Sequence, residues 1–118
     1  MIRTTVVGVA LALCLLPANA YAATKNGAND YLLAQSTSGQ GTILSKVIGR
    51  GCVAKTTFFM GTGAPGLPKN HALWSAKCSN GATFVVRVAP DGTNQVMECA
   101  VFLAMDGLPC FKKLPAPK

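Results

Sequence analysis

Four cysteines, Cys52, Cys78, Cys99 and Cys110, carry the most definite chemistry in this chain. An even set in an oxidising compartment pairs into two disulfides. Zinc is not expected at these thiols. No two of them form a Cys-x-x-Cys pair, and His71 is the chain's single histidine. A fifth cysteine, Cys14, sits inside an apolar leader, and the bulky Leu13 before it speaks against a lipoprotein anchor.

The remaining reactive types do not assemble into a catalytic pattern. Gly61-Thr62-Gly63-Ala64-Pro65-Gly66 fits the dinucleotide fingerprint literally, but Pro65 and Pro68 prevent the helix that would aim amides at a pyrophosphate. The next acid is Asp91, too far along to hold a ribose, so no cofactor is expected. Ser75, His71 and Asp91 can be written as a triad, yet no strained nucleophile turn surrounds Ser75. Asp91 and Asp106 each precede a glycine and serve turns, while Glu98 is expected on a strand face with Arg87 across from it. Lys46, Arg50 and Lys55, extended by Lys112 and Lys113, form a candidate anion-binding patch.

The compartment is set by the start of the chain. Met1 to Arg3 is positive, Val6 to Leu16 is apolar apart from Gly8, Pro17 breaks the run, and Ala20-Tyr21-Ala22 offers small residues at a peptidase site. Residues 1–22 therefore read as a secretory signal peptide, and the rest as periplasmic or secreted. About 96 of the 118 residues remain, with ten Lys and Arg against four Asp and Glu. That is one small domain, short of core and helped by cross-links. Its positive balance favours anionic surfaces such as lipid headgroups or glycans, or a periplasmic protein.

The elements that position these residues follow from periodicity. Residues 23–41 read as a flexible segment, with a brief helix over Tyr31-Leu32-Leu33 capped by Asn29. A short helix is expected over 42–49, with Ile43, Leu44, Val47 and Ile48 on its inner side and Gly49 ending it. Strands are expected at 53–60, 71–78, 82–89 and 94–103, separated by Gly- and Pro-bearing turns. Residues 42–113 make up the domain, and 114–118 a Pro-rich tail.

A three-residue loop at Ser79-Asn80-Gly81 sets Cys78 opposite Ala82, Ala76 opposite Phe84 and Trp74 opposite Val86, all on one face. A four-residue turn at 90–93 would extend that face through Met97, Cys99, Val101 and Leu103. Lys77, Thr83, Arg87 and Glu98 then take the other face. Cys78 and Cys99 are separated by a whole strand, about 9–10 Å across two strand spacings, beyond disulfide reach. Cys52–Cys78 and Cys99–Cys110 are the favoured pairs.

Trp74-Ser-x-x-Cys-x-Asn-Gly, then Asp91-Gly92 and Cys99, with Gly51-Cys52 before and Cys110-Phe111 after, resembles a group of small exported proteins of Gram-negative bacteria. The likeness spans roughly residues 44–113, implies a periplasmic disulfide domain and carries no catalytic residues. The expected fold is α+β, a short N-terminal helix packed on an antiparallel meander of about four strands with two disulfides. The expected function is an exported, non-enzymatic binding or interaction module. A hydrolase inhibitor acting through loop 61–70 is the alternative, and a small hydrolase ranks third.

Overall fold

The computed structural model describes residues 25–116, so the expected signal peptide lies outside the described residues. Two helices come first, α1 (Gly27–Leu33) and α2 (Thr37–Ile48). Four strands follow, β1 (Ala54–Thr62), β2 (Ala72–Cys78), β3 (Thr83–Val88) and β4 (Asn94–Glu98), and then a third helix, α3 (Cys99–Asp106). The strands form one antiparallel sheet in the order β1-β2-β3-β4. This is the expected α+β meander with both expected disulfides, Cys52–Cys78 and Cys99–Cys110, at Cα separations of 5.1 and 5.9 Å.

The N-terminal segment is more ordered than its composition suggests. Asn26, not Asn29, caps α1, its side chain accepting from the backbone N–H of Asn29. Ser36 caps α2 through the N–H of Gly39, so this helix starts at Thr37 rather than 42. Gly39 and Gly41 read as loop residues because glycine weakens a helix. At Gly41 the reason for glycine is tertiary: an added Cβ would lie 2.9 Å from the Ala54 carbonyl oxygen. The helix backbone thus approaches β1 closely, and Ser45 Oγ accepts from the Ala54 N–H at 2.8 Å. Gln40 locks the α1–α2 corner by donating to the carbonyls of Leu32 and Gln35.

Both faces of the sheet are covered. Helices α1 and α2 lie on the first face, over Ala72, Trp74, Ala76, Phe84, Val86 and Val88. Helix α3 and the C-terminal segment lie on the second, over Met60, Leu73 and Val85. A middle strand buried on both sides loses its polar alternation, as β2 does until Lys77. Phe59 therefore stacks against Trp74 on the first face, and Phe58 packs near Phe111 on the second. No helix among the described residues is long and apolar enough to cross a membrane.

The β2–β3 register is the expected one, with Trp74 opposite Val86 and Ala76 opposite Phe84. The β3–β4 register differs by one residue. Ala89 and Thr93 close a three-residue loop whose Gly92 has φ +89°, the same arrangement that Gly81 makes at the previous turn. Val86 therefore faces Val96 instead of Met97, and Phe84 faces Glu98 instead of Cys99. A one-residue slip exchanges faces. Met97 and Cys99 join the second core, and Glu98 turns to the first face, away from Arg87, which pairs with Gln95. The expected strand also ends at Glu98. Val101 and Leu103 belong to α3, which stops at Gly107 with φ +70°.

Candidate binding groove

The four cysteines sit in disulfides and are closed to metal or nucleophilic chemistry. The serine of the written triad is committed elsewhere. Ser75 is fully buried, donates to Met60 Sδ and accepts from the Phe111 N–H, both at 2.9 Å. It holds the C-terminal segment against the sheet. His71 lies half-buried at the start of β2, lining a small pocket with Arg87, Thr93 and Gln95, and its buried Nδ1 has no hydrogen-bond partner. Loop 61–70 is held at Gly63, whose N–H donates to the His71 carbonyl, and at buried Ala64, while Pro65, Gly66, Pro68 and Lys69 are exposed.

The five patch cations come from different layers. Lys46 lies on α2, and the Arg50 guanidinium sits 5.4 Å from the Phe84 ring centroid on the first face. Lys55 is on the edge strand β1. Lys112 and Lys113 belong to the segment crossing the second face, where the Leu114 N–H donates to the Met60 carbonyl. All five are exposed, with Lys46 and Arg50 on the first-face side of the sheet and Lys112 and Lys113 on the second.

A concavity lies on the first face, between α1, α2 and the β3–β4 hairpin. Helix α1 supplies Ala28, Tyr31 and Leu32, helix α2 supplies Ile43, Leu44 and Val47, and β3 supplies Val86 and Val88. The β3–β4 turn closes one end with Pro90, Asp91 and Gly92. The groove has a volume of about 750 Å³. This lies within the 300–1,000 Å³ usual for small-molecule sites, which are mostly apolar with few polar groups.

Its walls are held by a buried polar network. Asn26 Nδ2 donates to the carbonyls of Asn70 at 2.8 Å and Val88 at 3.0 Å, while its Oδ1 accepts from Asn29. Asn29 Oδ1 in turn accepts from Trp74 Nε1 at 2.6 Å. Two asparagines thus fix α1 to β2 and β3 and set the width of the groove.

Two charged residues line the groove, Lys25 ahead of α1 and Asp91 in the β3–β4 turn. The Thr93 hydroxyl and then the Thr93 N–H bond the Asp91 carboxylate, and these hold its pKa below the ordinary value. The lining therefore carries one charge of each sign and gives no net pull on an anion. Of the lining residues, Ile43, Leu44, Val47, Val86 and Val88 read in the sequence as inward-facing, whereas Ala28, Tyr31 and Leu32 fall in the segment expected to be flexible. The sign of a cavity is that Ile43, Val47 and Ala28 are only partly buried although they lie on inward faces.

Comparison with known proteins finds no family, no curated protein and no solved structure that matches the chain.

Proposed function

We propose that this chain is an exported, non-enzymatic binding module that takes a small apolar molecule in the groove between α1, α2 and the β3–β4 hairpin. The observation that carries this reading is the groove itself, about 750 Å³ with an aliphatic floor and charges of opposite sign in its lining. Two disulfides suit a chain working in an oxidising compartment. The scattered basic residues support an anionic ligand less well, because they do not line this cavity.

The test is titration of the purified protein with a hydrophobic fluorophore, 1-anilinonaphthalene-8-sulfonate, followed by displacement with uncharged and carboxylated alkyl compounds. Saturable binding with one site is expected. Val47→Trp and Ala28→Phe fill the groove from two helices and should each remove binding while the thermal midpoint is kept. Undiminished binding in both folded variants would overturn the proposal.

A further inference from the structure

The groove on the first face has a direction, because its two charged residues lie at the same end of β3. Asn26 donates to the Val88 carbonyl, which places its neighbour Lys25 by the last residue of that strand. Asn94 pairs with Val88 across the hairpin, and Asp91 stands in the turn between them. Lys25, Asp91 and Asn94 all line the groove, and all three are exposed. In the other direction along β3 the lining is Val86 with Leu32, Ile43, Leu44 and Val47, and it holds no charged side chain. Val47 marks that direction, since Arg50, three residues on, sits 5.4 Å from the Phe84 ring centroid.

The Asp91 carboxylate is fixed in place with one oxygen spare. Both the N–H and the hydroxyl of Thr93 donate to Oδ1, at 2.9 and 2.7 Å. Oδ2 has no hydrogen-bond partner among the described residues. A polar group arriving at this end therefore meets a held acceptor and an ammonium, with an apolar channel leading away from both. Charges of complementary sign select a partner more than they tighten it. An anionic head meets Asp91 unfavourably, a cationic head meets Lys25 unfavourably, and a head with both signs satisfies each.

We infer that the ligand of this groove is an amphiphile with a zwitterionic head. Its apolar chain lies along Val86 toward Val47, its acidic group faces Lys25, and its ammonium faces Asp91. This rests on the reading of the groove as an apolar binding site. An amino acid with a long apolar side chain and a single-chain zwitterionic phospholipid share this chemistry.

The experiment is calorimetric titration of the purified protein with five eight-carbon probes below their micelle concentrations. Two are zwitterions, 2-aminooctanoate and octylphosphocholine, and the others are octanoate, octylamine and octanol. At least one zwitterion should bind about fivefold tighter than octanol, since exposed ion pairs are individually weak, and tighter than either singly charged probe. A lead for 2-aminooctanoate identifies an amino-acid head and a lead for octylphosphocholine a phospholipid head, and each supports the inference. Asp91→Asn keeps the Oδ1 that Thr93 uses, so the turn is retained. It should remove the zwitterion's lead and improve octanoate, whereas Lys25→Gln should remove the lead and improve octylamine. Octanol should respond to neither. Octanol bound as tightly as both zwitterions, or a lead that survives both variants, would overturn the assignment of the head and leave the groove reading standing. Failure of every probe, octanol included, would overturn the two together.

Discussion

Asn26 is the side chain on which the groove's geometry rests most heavily. It is 4% exposed and makes three hydrogen bonds, two as a donor to the Asn70 and Val88 carbonyls and one as the acceptor capping α1. Asn26→Ala leaves all three partners unmatched in a buried place. At about 1 kcal/mol net for each bond, the loss is about 3 kcal/mol. A simple cap deletion costs only about 1 kcal/mol. The decisive comparison is Asn26→Asp. Aspartate caps helices as well as asparagine, so a residue acting only as a cap would tolerate it. Here the amide donors are lost, and a carboxylate faces two carbonyl oxygens in a buried site. Asn26→Asp should therefore be at least as destabilising as Asn26→Ala. Urea unfolding followed by Trp74 fluorescence measures this. With a slope of about 1–3 kcal/mol per molar, a loss of 3 kcal/mol lowers the midpoint by about 1–3 M. An Asp variant within about 0.5 kcal/mol of the unaltered protein would refute the reasoning.

Three further perturbations probe other parts of the account. Gly41→Ala gains about 1 kcal/mol of helix propensity, but its Cβ meets a backbone oxygen at 2.9 Å. A net loss of about 1–2 kcal/mol in chemical denaturation is expected. Replacing Cys52 and Cys78 by alanine should cost more than replacing Cys99 and Cys110, because the bridges span 26 and 11 positions. In the chain-entropy treatment the difference is about 0.8 kcal/mol on losses of roughly 2–4 kcal/mol each, read from paired thermal melts. Thr93→Val removes the hydroxyl that holds the Asp91 pKa down, so carboxyl NMR should show Asp91 titrating closer to its ordinary value. A lowered folded pKa contributes stability above the ordinary value, and this is lost as pH falls through the folded one. Thr93→Val should therefore lose less stability on acidification.

The parts of the fold legible in the sequence are those set by local turn chemistry and alternation. Gly81 in the left-handed region fixed a three-residue loop, and through it the whole β2–β3 face. The same loop recurs at Pro90-Asp91-Gly92, but counting Thr93 into the turn shifts β4 by one residue and exchanges its faces. Both disulfide pairs were legible, although Cys99 reaches Cys110 because it lies on the second face, not because β3 blocks Cys78 on the first. Helix α3 was missed because its apolar run resembles a buried strand when periodicity is absent. Ala100, Leu103, Ala104 and Met105 before Gly107 were the available signal, as good helix formers ahead of a glycine cap. The start of α2 was hidden by Gly39 and Gly41, of which Gly41 answers to β1 rather than to its own helix. The groove was not legible at all, since Ile43, Val47 and Val88 have the same apolar signature whether they fill a core or line a cavity.

The central claim, that the groove on the first face receives an apolar ligand, is tested most directly by methyl NMR during titration with a small apolar probe. The account predicts saturable shifts confined to Leu32, Ile43, Leu44, Val47, Val86 and Val88, with Val101 and Leu103 on α3 unmoved. Shifts at Val101 and Leu103 without any at the groove methyls, or no saturable shift at all, would contradict it.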